Sequence, residues 1–254
     1  MPIDPTHSAS EYTTYIRQKA DIVRNGALNF AGALFKSAVF TSSAGKQEFP
    51  PPPPPSGDYG ILTGFSATKS LYYPGLNPGT SDFTIECFFR SPVINGRYLW
   101  RFDGNTDIRL NYDGLIARID DDDGHEISSP DIDTWYHVAM TRSGNNWYAM
   151  FNGVNSLFDT GEFSLSGGSL IVGSSSPDDD GSNSFRGSIS NFRYTKRALY
   201  TTAGSYTIPS LPLQNIADTE LLLLAQPGAP LADSSDNNYV AQGTCDWLPG
   251  PISV

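Results

Sequence analysis

The chain has 254 residues, 39% of them hydrophobic, enough to bury a sizeable core in one large domain or one domain with an appendage. Its 16 basic and 27 acidic side chains leave a net charge of -11, which repels phosphate backbones and anionic membrane surfaces, so no nucleic-acid partner is expected. Residues 1–49 hold 5 basic and 4 acidic side chains, so the acidic excess belongs to the rest of the chain.

In chain order, Ser8-Ala9-Ser10-Glu11 has capping-box spacing, with a hydroxyl placed to cap a first turn and a carboxylate three residues on to reach back. Tyr12, Ile16, Ala20 and Val23 follow at near-helical spacing up to Asn25-Gly26, and a weaker stripe runs from Ala27 to Ala38. These predict a short helical N-terminal arm over residues 1–49. Six prolines, Pro50 to Pro55, then favour a polyproline II rod of about 19 Å, at about 3.1 Å per residue, giving a linker over 50–58. The most apolar stretch, Ala27 to Phe40, is too short to span a bilayer and carries Asn29 and Lys36, so no membrane span is expected. No secretory signal is read at the start, and no Asn-x-Ser/Thr acceptor occurs. Cys87 and Cys245 lack both zinc-site spacing and the number for a disulfide framework; two buried free thiols are expected, with a single bridge as the alternative.

From Tyr59 onward the pattern changes to short runs rich in Ile, Val, Tyr, Phe and Thr, bounded by Gly, Asn, Asp and Pro. Ten such runs are read as strands: Ser70–Tyr73, Phe83–Arg90, Tyr98–Phe102, Asp107–Tyr112, Leu115–Asp120, Trp135–Arg142, Trp147–Asn152, Ser169–Val172, Gly187–Tyr194 and Leu221–Leu224. This number of strands over residues 59–254, with no repeat of solenoid length, predicts an all-β antiparallel sandwich. In the aromatic hairpin Trp135–Val154, period two places Trp135, His137, Ala139 and Thr141 on one face and Tyr136, Val138, Met140 and Arg142 on the other.

Three blocks, Phe83-Thr84-Ile85-Glu86-Cys87-Phe88-Phe89-Arg90, Trp135 to Arg142, and Phe185-Arg186-Gly187-Ser188-Ile189-Ser190-Asn191-Phe192-Arg193, resemble in order those of laminin G-like domains of the concanavalin A-like lectin/glucanase superfamily. Ala198 to Thr201, Tyr206 to Leu213, Thr219 to Leu224, Asp233 to Asn238 and Trp247 are similar to the tail of the subgroup found in phage and large-virus proteins, so the resemblance covers roughly 60–247. It implies a two-sheet jelly roll, and it implies that Trp135 is a core residue whose truncation would cost about 3 to 5 kcal/mol, with Trp147 the less sensitive of the two. The lead-in Ser8 to Arg17 is similar to the starts of capsid-associated proteins of large algal DNA viruses.

Glucanases of that superfamily carry a Glu-x-Asp-x-Glu strand with paired carboxylates, and here Glu86, Glu126 and Glu220 each stand without such a partner. His7, His125 and His137 lie in unrelated contexts with no nucleophile elbow, so His137 is read as packing and no enzyme is expected. Rims of such sandwiches often hold a hard cation, and two carboxylate-dense loops are candidate Ca²⁺ ligands: Asp178, Asp179 and Asp180 first, then Asp120, Asp121, Asp122 and Asp123. Tyr98, Tyr112, Tyr136, Trp147 and Tyr148 are the candidate sugar-stacking residues, with alternation leaving half of them outside. The leading expectation is a non-enzymatic virion structural or attachment protein of minor capsid, decoration or fibre type. It would be made in the host cytoplasm and joined to other capsid subunits through residues 1–55. The alternative is a carbohydrate-binding lectin module or adhesin with a glycan as partner, ahead of a glycoside hydrolase.

Overall fold

The computed structural model describes residues 59–250 apart from 103–105, 113, 120–123 and 166–167, and every regular element among them is a strand. The expected arm, the polyproline linker and Asp120 to Asp123 lie outside the described residues. In chain order the strands are β1 (Gly60–Thr63), β2 (Leu71–Tyr73), β3 (Phe83–Arg90), β4 (Arg97–Phe102), β5 (Thr106–Asn111), β6 (Gly114–Arg118), β7 (His125–Ser128) and β8 (Tyr136–Ser143). They continue with β9 (Asn146–Phe151), β10 (Val154–Thr160), β11 (Leu170–Val172), β12 (Ser188–Thr195), β13 (Gly204–Ser205), β14 (Thr219–Leu223), β15 (Gln242–Gly243) and β16 (Asp246–Pro249). All ten expected strands are present, Phe83–Arg90 with the expected bounds and the others with ends shifted by at most two residues. Among the described residues no helix is long and apolar enough to cross a membrane.

The strands form two antiparallel sheets. One has nine strands in the order β13-β10-β9-β8-β3-β12-β1-β16, with β14 also on β12; the other has seven, β15-β2-β11-β4-β5-β6-β7. The aromatic hairpin is the β8–β9 pair, in register Val138↔Phe151 through Ser143↔Asn146. Asn152 and Gly153, at φ 44° and 94°, then make the positive-φ two-residue turn that joins β9 to β10 without splaying the strands. Facing rows of the two sheets interdigitate: Phe83, Ile85, Cys87, Phe89, Val138, Met140, Trp147 and Tyr194 from one, Trp100, Phe102, Ile108, Leu110, Leu115 and Leu170 from the other. Phe83 is the hub, with T-shaped contacts to Phe102, Trp147 and Tyr194 at centroid distances of 5.7, 5.7 and 6.3 Å. Cys87 and Cys245 are free and buried, and burial pushes the Cys245 thiol up to about 12.

The outer face of the nine-stranded sheet is not left to water. Residues 196–218 leave β12, cross β3, β8 and β9, add β13 to the far edge of β10 and return to β14. Their apolar side chains form two small cores on this face: Leu213, Ile208 and Leu211 with Phe88, Leu222 and Tyr59, and Tyr200 and Tyr206 with Ala139, Tyr148 and Met150. Beneath them the fully buried Glu86 accepts from Arg193 Nε at 2.9 Å and from Arg193 Nη2, pairs with His137 Nε2 at 2.9 Å, and accepts from Tyr200 OH at 2.9 Å. Those four donor atoms, from three residues, use all the lone-pair directions a carboxylate offers, so Glu86 is a fully engaged buried anion. His137 Nδ1 lies 2.9 Å from Tyr206 OH, tying the crossing segment to β8.

This covering layer reverses the expected order of the tryptophans. Trp135 is only half-buried and packs outside the nine-stranded sheet beside Phe88, with the Arg90 guanidinium 5.8 Å from its ring. Trp147 is fully buried between the sheets, and its Nε1 donates to Gly161 O at 3.1 Å. Around β8 both faces carry large or apolar side chains, Trp135 and Ala139 on one and Tyr136, Val138 and Met140 on the other, so alternation alone could not tell inside from outside there.

Candidate functional site

The two outer faces are chemically unlike. Both satellite apolar cores lie on the nine-stranded sheet, whereas among the described residues the outward positions of the seven-stranded sheet carry no such layer. Its central outward row runs, in register, Tyr72, Ile171, Arg101, Asp107 and Arg118 across β2, β11, β4, β5 and β6. The neighbouring row runs Tyr98, Arg109, Ile116 and Glu126 across β4 to β7. A bulge in β4 sets this up: Leu99 and Trp100 both turn into the core, which brings Tyr98 and Arg101 onto the same face although they are three apart.

Asp107 holds the arginines in place. Arg118 grips its Oδ2 with two donors, Nε at 3.0 Å and Nη2 at 2.8 Å, and Arg109 Nε lies 3.9 Å from Oδ1. Oδ1 itself accepts no hydrogen bond among the described residues. Burial pushes the Asp107 carboxyl above its usual range, against the pull of the Arg118, Arg109 and Arg101 charges. Arg109 Nη1 donates to Tyr98 OH at 3.0 Å, and the guanidinium groups of Arg109 and Arg101 lie 5.6 and 5.7 Å from the Tyr98 ring centroid. The result is a half-exposed tyrosine flanked by two positive forks on a sheet whose strands stand about 4.8 Å apart. Such an array offers ring, hydroxyl and guanidinium donors to a polar ligand lying across the strands. It holds no nucleophile with an adjacent base among the described residues.

A family profile of the laminin G type, described as the concanavalin A-like lectin/glucanases superfamily, matches residues 65–202, more than half of the chain. The chain belongs to that superfamily. Among solved structures it is similar to a Bacteroides ovatus ATCC 8483 protein to which carbohydrate binding is assigned. That likeness has a TM-score of 0.57 and 16% identity, and covers 78% of this chain and 62% of the other, so the match spans less than two thirds of that protein's own length. Domain 4 of the Geobacillus stearothermophilus arabinanase AbnA, solved with arabinotriose, matches at TM-score 0.40 and 16% identity over 56% of this chain and 68% of that one. Domains LG4-5 of mouse laminin alpha1 match at 0.38 and 15% over 60% and 47%. A search of curated proteins finds no match.

On this superfamily frame, the five aromatic candidates fall in five different settings. Tyr98 is on the outer face of the seven-stranded sheet, and Tyr112, 70% exposed, caps the β5–β6 turn at its end. Tyr136 packs at a tilt against Phe151 and Phe89, with ring centroids at 4.8 and 6.1 Å, and its hydroxyl accepts from Asp131 N at 3.2 Å. Trp147 is in the central core and Tyr148 lies under the crossing segment, so neither turns a ring face to solvent; both were placed by composition, not by burial. The arginines at 101, 109 and 118 were not singled out, although arginines in each of three successive strands are a readable signal.

Asp178 to Asp180 lie, as expected, in the loop between β11 and β12. Asp179 accepts from Gly181 N, Asn183 N, Asn183 Nδ2 and Ser184 Oγ at 3.0 to 3.2 Å, and Asp180 from Ser182 N at 2.9 Å. These carboxylates shape a turn. Among the described residues no three His, Cys, Asp or Glu side chains converge as a metal-binding group.

Proposed function

We propose that the chain is a non-catalytic glycan-binding module that lays a saccharide across the outer face of its seven-stranded sheet. The observation that carries this reading is the asymmetry of the sandwich: one outer face is sealed by residues 196–218, while among the described residues the other has no such apolar layer and keeps Tyr98, Arg101, Arg109 and Tyr72 partly exposed beside a buried, arginine-gripped Asp107. Side chains locked by ion pairs and ring contacts lose little freedom when a ligand arrives, which favours binding. The carbohydrate binding assigned to the Bacteroides ovatus neighbour supports the same reading, as does Glu86, whose buried carboxylate is fully engaged. The particle-attachment role is compatible with this one. There, residues 1–55 would join other capsid subunits and the sheet face would meet a host glycan.

The test is a glycan array probed with the full chain and with Tyr98→Ala and Arg109→Ala. Binding to a defined glycan class, weakened at least tenfold in both variants, supports the proposal; wild-type binding that both variants keep would refute the placement. Incubation with laminarin-type and agar-type polysaccharides should release no reducing ends, and release would return the chain to the glycosidases.

A further inference from the structure

At one end of the sandwich three connections converge on a cleft of about 370 Å³: the β2–β3 loop with Thr80, the β8–β9 turn with Gly144 and Asn145, and the chain after β10 with Glu162 to Ser164. The cleft is a built one. Gly144 N donates to Asp82 Oδ1 at 2.7 Å, Gly161 N to Asn145 O at 2.8 Å, and Leu165 N to Gly79 O at 2.9 Å, so each segment is pinned to another. Arg142, only 4% exposed, lines the cleft with its guanidinium 5.2 Å from the Trp147 ring. Its Nε donates to Gly144 O at 2.9 Å and its Nη1 to Phe163 O at 2.7 Å and to Gly79 O at 3.4 Å, while no hydrogen bond from Nη2 is seen among the described residues. Phe163 leans edge-on against Trp147 at 5.9 Å and packs over the Cα of Gly161, where any side chain would collide with its ring. On the rim, Asn145 Nδ2 donates to Glu162 Oε1 at 3.3 Å.

From this geometry we infer that the cleft is a pocket for a single neutral sugar residue, separate from the sheet face. Its volume lies at the small end of the range of about 300 to 1,000 Å³ for small-molecule sites, which suits one ring and not a chain. The polar groups decide the class. Arg142 Nη2 supplies a donor, Glu162 supplies carboxylate acceptors, and the Asn145 amide supplies both. Vicinal hydroxyls, which donate and accept, satisfy all three, and an acceptor-only anion does not. An anionic sugar would also meet Glu162 at the rim and Asp82 behind the turn, two negative charges against one guanidinium. Phe163 gives the apolar face of the ring a partner.

The test is saturation-transfer NMR on the full chain with millimolar methyl glycosides of glucose, galactose and mannose, and with methyl glucuronide as the anionic probe. Transfer is expected to at least one neutral glycoside, and none to the glucuronide. Asn145→Ala and Glu162→Ala change exposed side chains and keep the fold, and each should weaken binding about tenfold, the loss of one good hydrogen-bond partner set. Tyr98→Ala should leave the signal intact, which separates this pocket from the sheet face. No transfer to any neutral glycoside, preference for the glucuronide, full binding by both rim variants, or loss of signal in Tyr98→Ala would each overturn the inference.

Discussion

Replacing Trp147 with alanine should be among the most damaging single changes in the domain, and replacing Trp135 a mild one. Trp147 is fully buried, meets Phe83 and Phe163 edge-on at 5.7 and 5.9 Å, and carries the Arg142 guanidinium on its ring at 5.2 Å. Truncating a buried large aromatic costs about 3 to 5 kcal/mol, and the site cannot collapse easily because sheet backbone fixes its walls. Loss of the indole N–H also leaves Gly161 O without its donor and strips Arg142 of its cation–π contact, which places the total near 5 kcal/mol. For a domain of this size each kcal/mol moves the midpoint by about 2 to 4 °C, so Trp147→Ala should lower Tm by roughly 10 to 20 °C. Trp135 is half-buried against a small cluster and one arginine, and its truncation should cost about 1 to 2 kcal/mol. Urea unfolding of both variants, followed by far-UV circular dichroism, measures the difference. A Trp135→Ala cost equal to or above that of Trp147→Ala would refute the placement of the two rings and of the hairpin's inner face.

Glu86→Gln should cost about 3 to 5 kcal/mol in urea unfolding, because Arg193 would stay buried with its charge uncompensated. Burial pushes the Glu86 carboxyl up, but the His137 hydrogen bond and the Arg193 guanidinium outweigh it and hold the group below the usual carboxylate range. Its contribution is therefore complete above the unfolded carboxylate pKa of about 4.3 and is lost as pH falls through the lower folded value; Glu86→Gln should remove that part of the acid slope. Asp179→Ala should lower Tm by a few degrees, equally with and without millimolar calcium, since its oxygens serve turn N–H groups. A calcium-dependent rise in Tm that this substitution abolishes would instead mark the loop as an ion site.

The sandwich was legible because its central strands are long, apolar and punctuated by strong turns such as Asn152-Gly153. Most strands that escaped notice are edge or near-edge ones with little to bury: β10 alternates poorly, β7 opens with two exposed residues, and β16 is mostly exposed and contains Pro249. β1 escaped although it is buried, because its four residues include Gly60 and are too short a run to show alternation. Which face of β8 is inside was not legible, because the segment that buries its other face begins more than fifty residues later, after Thr195. From the sequence Tyr98 was named as a candidate but its arginine neighbours were not, for a physical reason. Period two puts residues 98 and 101 on opposite faces, and only the bulge at Leu99 unites them. The carboxylate loops read as ligand clusters because sequence shows charge density and hides the backbone N–H groups that consume it.

Glycan binding on the outer face of the seven-stranded sheet is the property on which the proposed function stands. Its most direct measurement is isothermal titration of the best glycan from an array into the wild-type chain, into the double variant Tyr98→Ala/Arg109→Ala, and into Thr84→Val, which alters the covered sheet. The account predicts binding to wild type and to Thr84→Val with similar Kd, and a loss of at least tenfold in the double variant while its far-UV spectrum stays native. Equal affinity of all three would contradict it, as would loss in Thr84→Val alone.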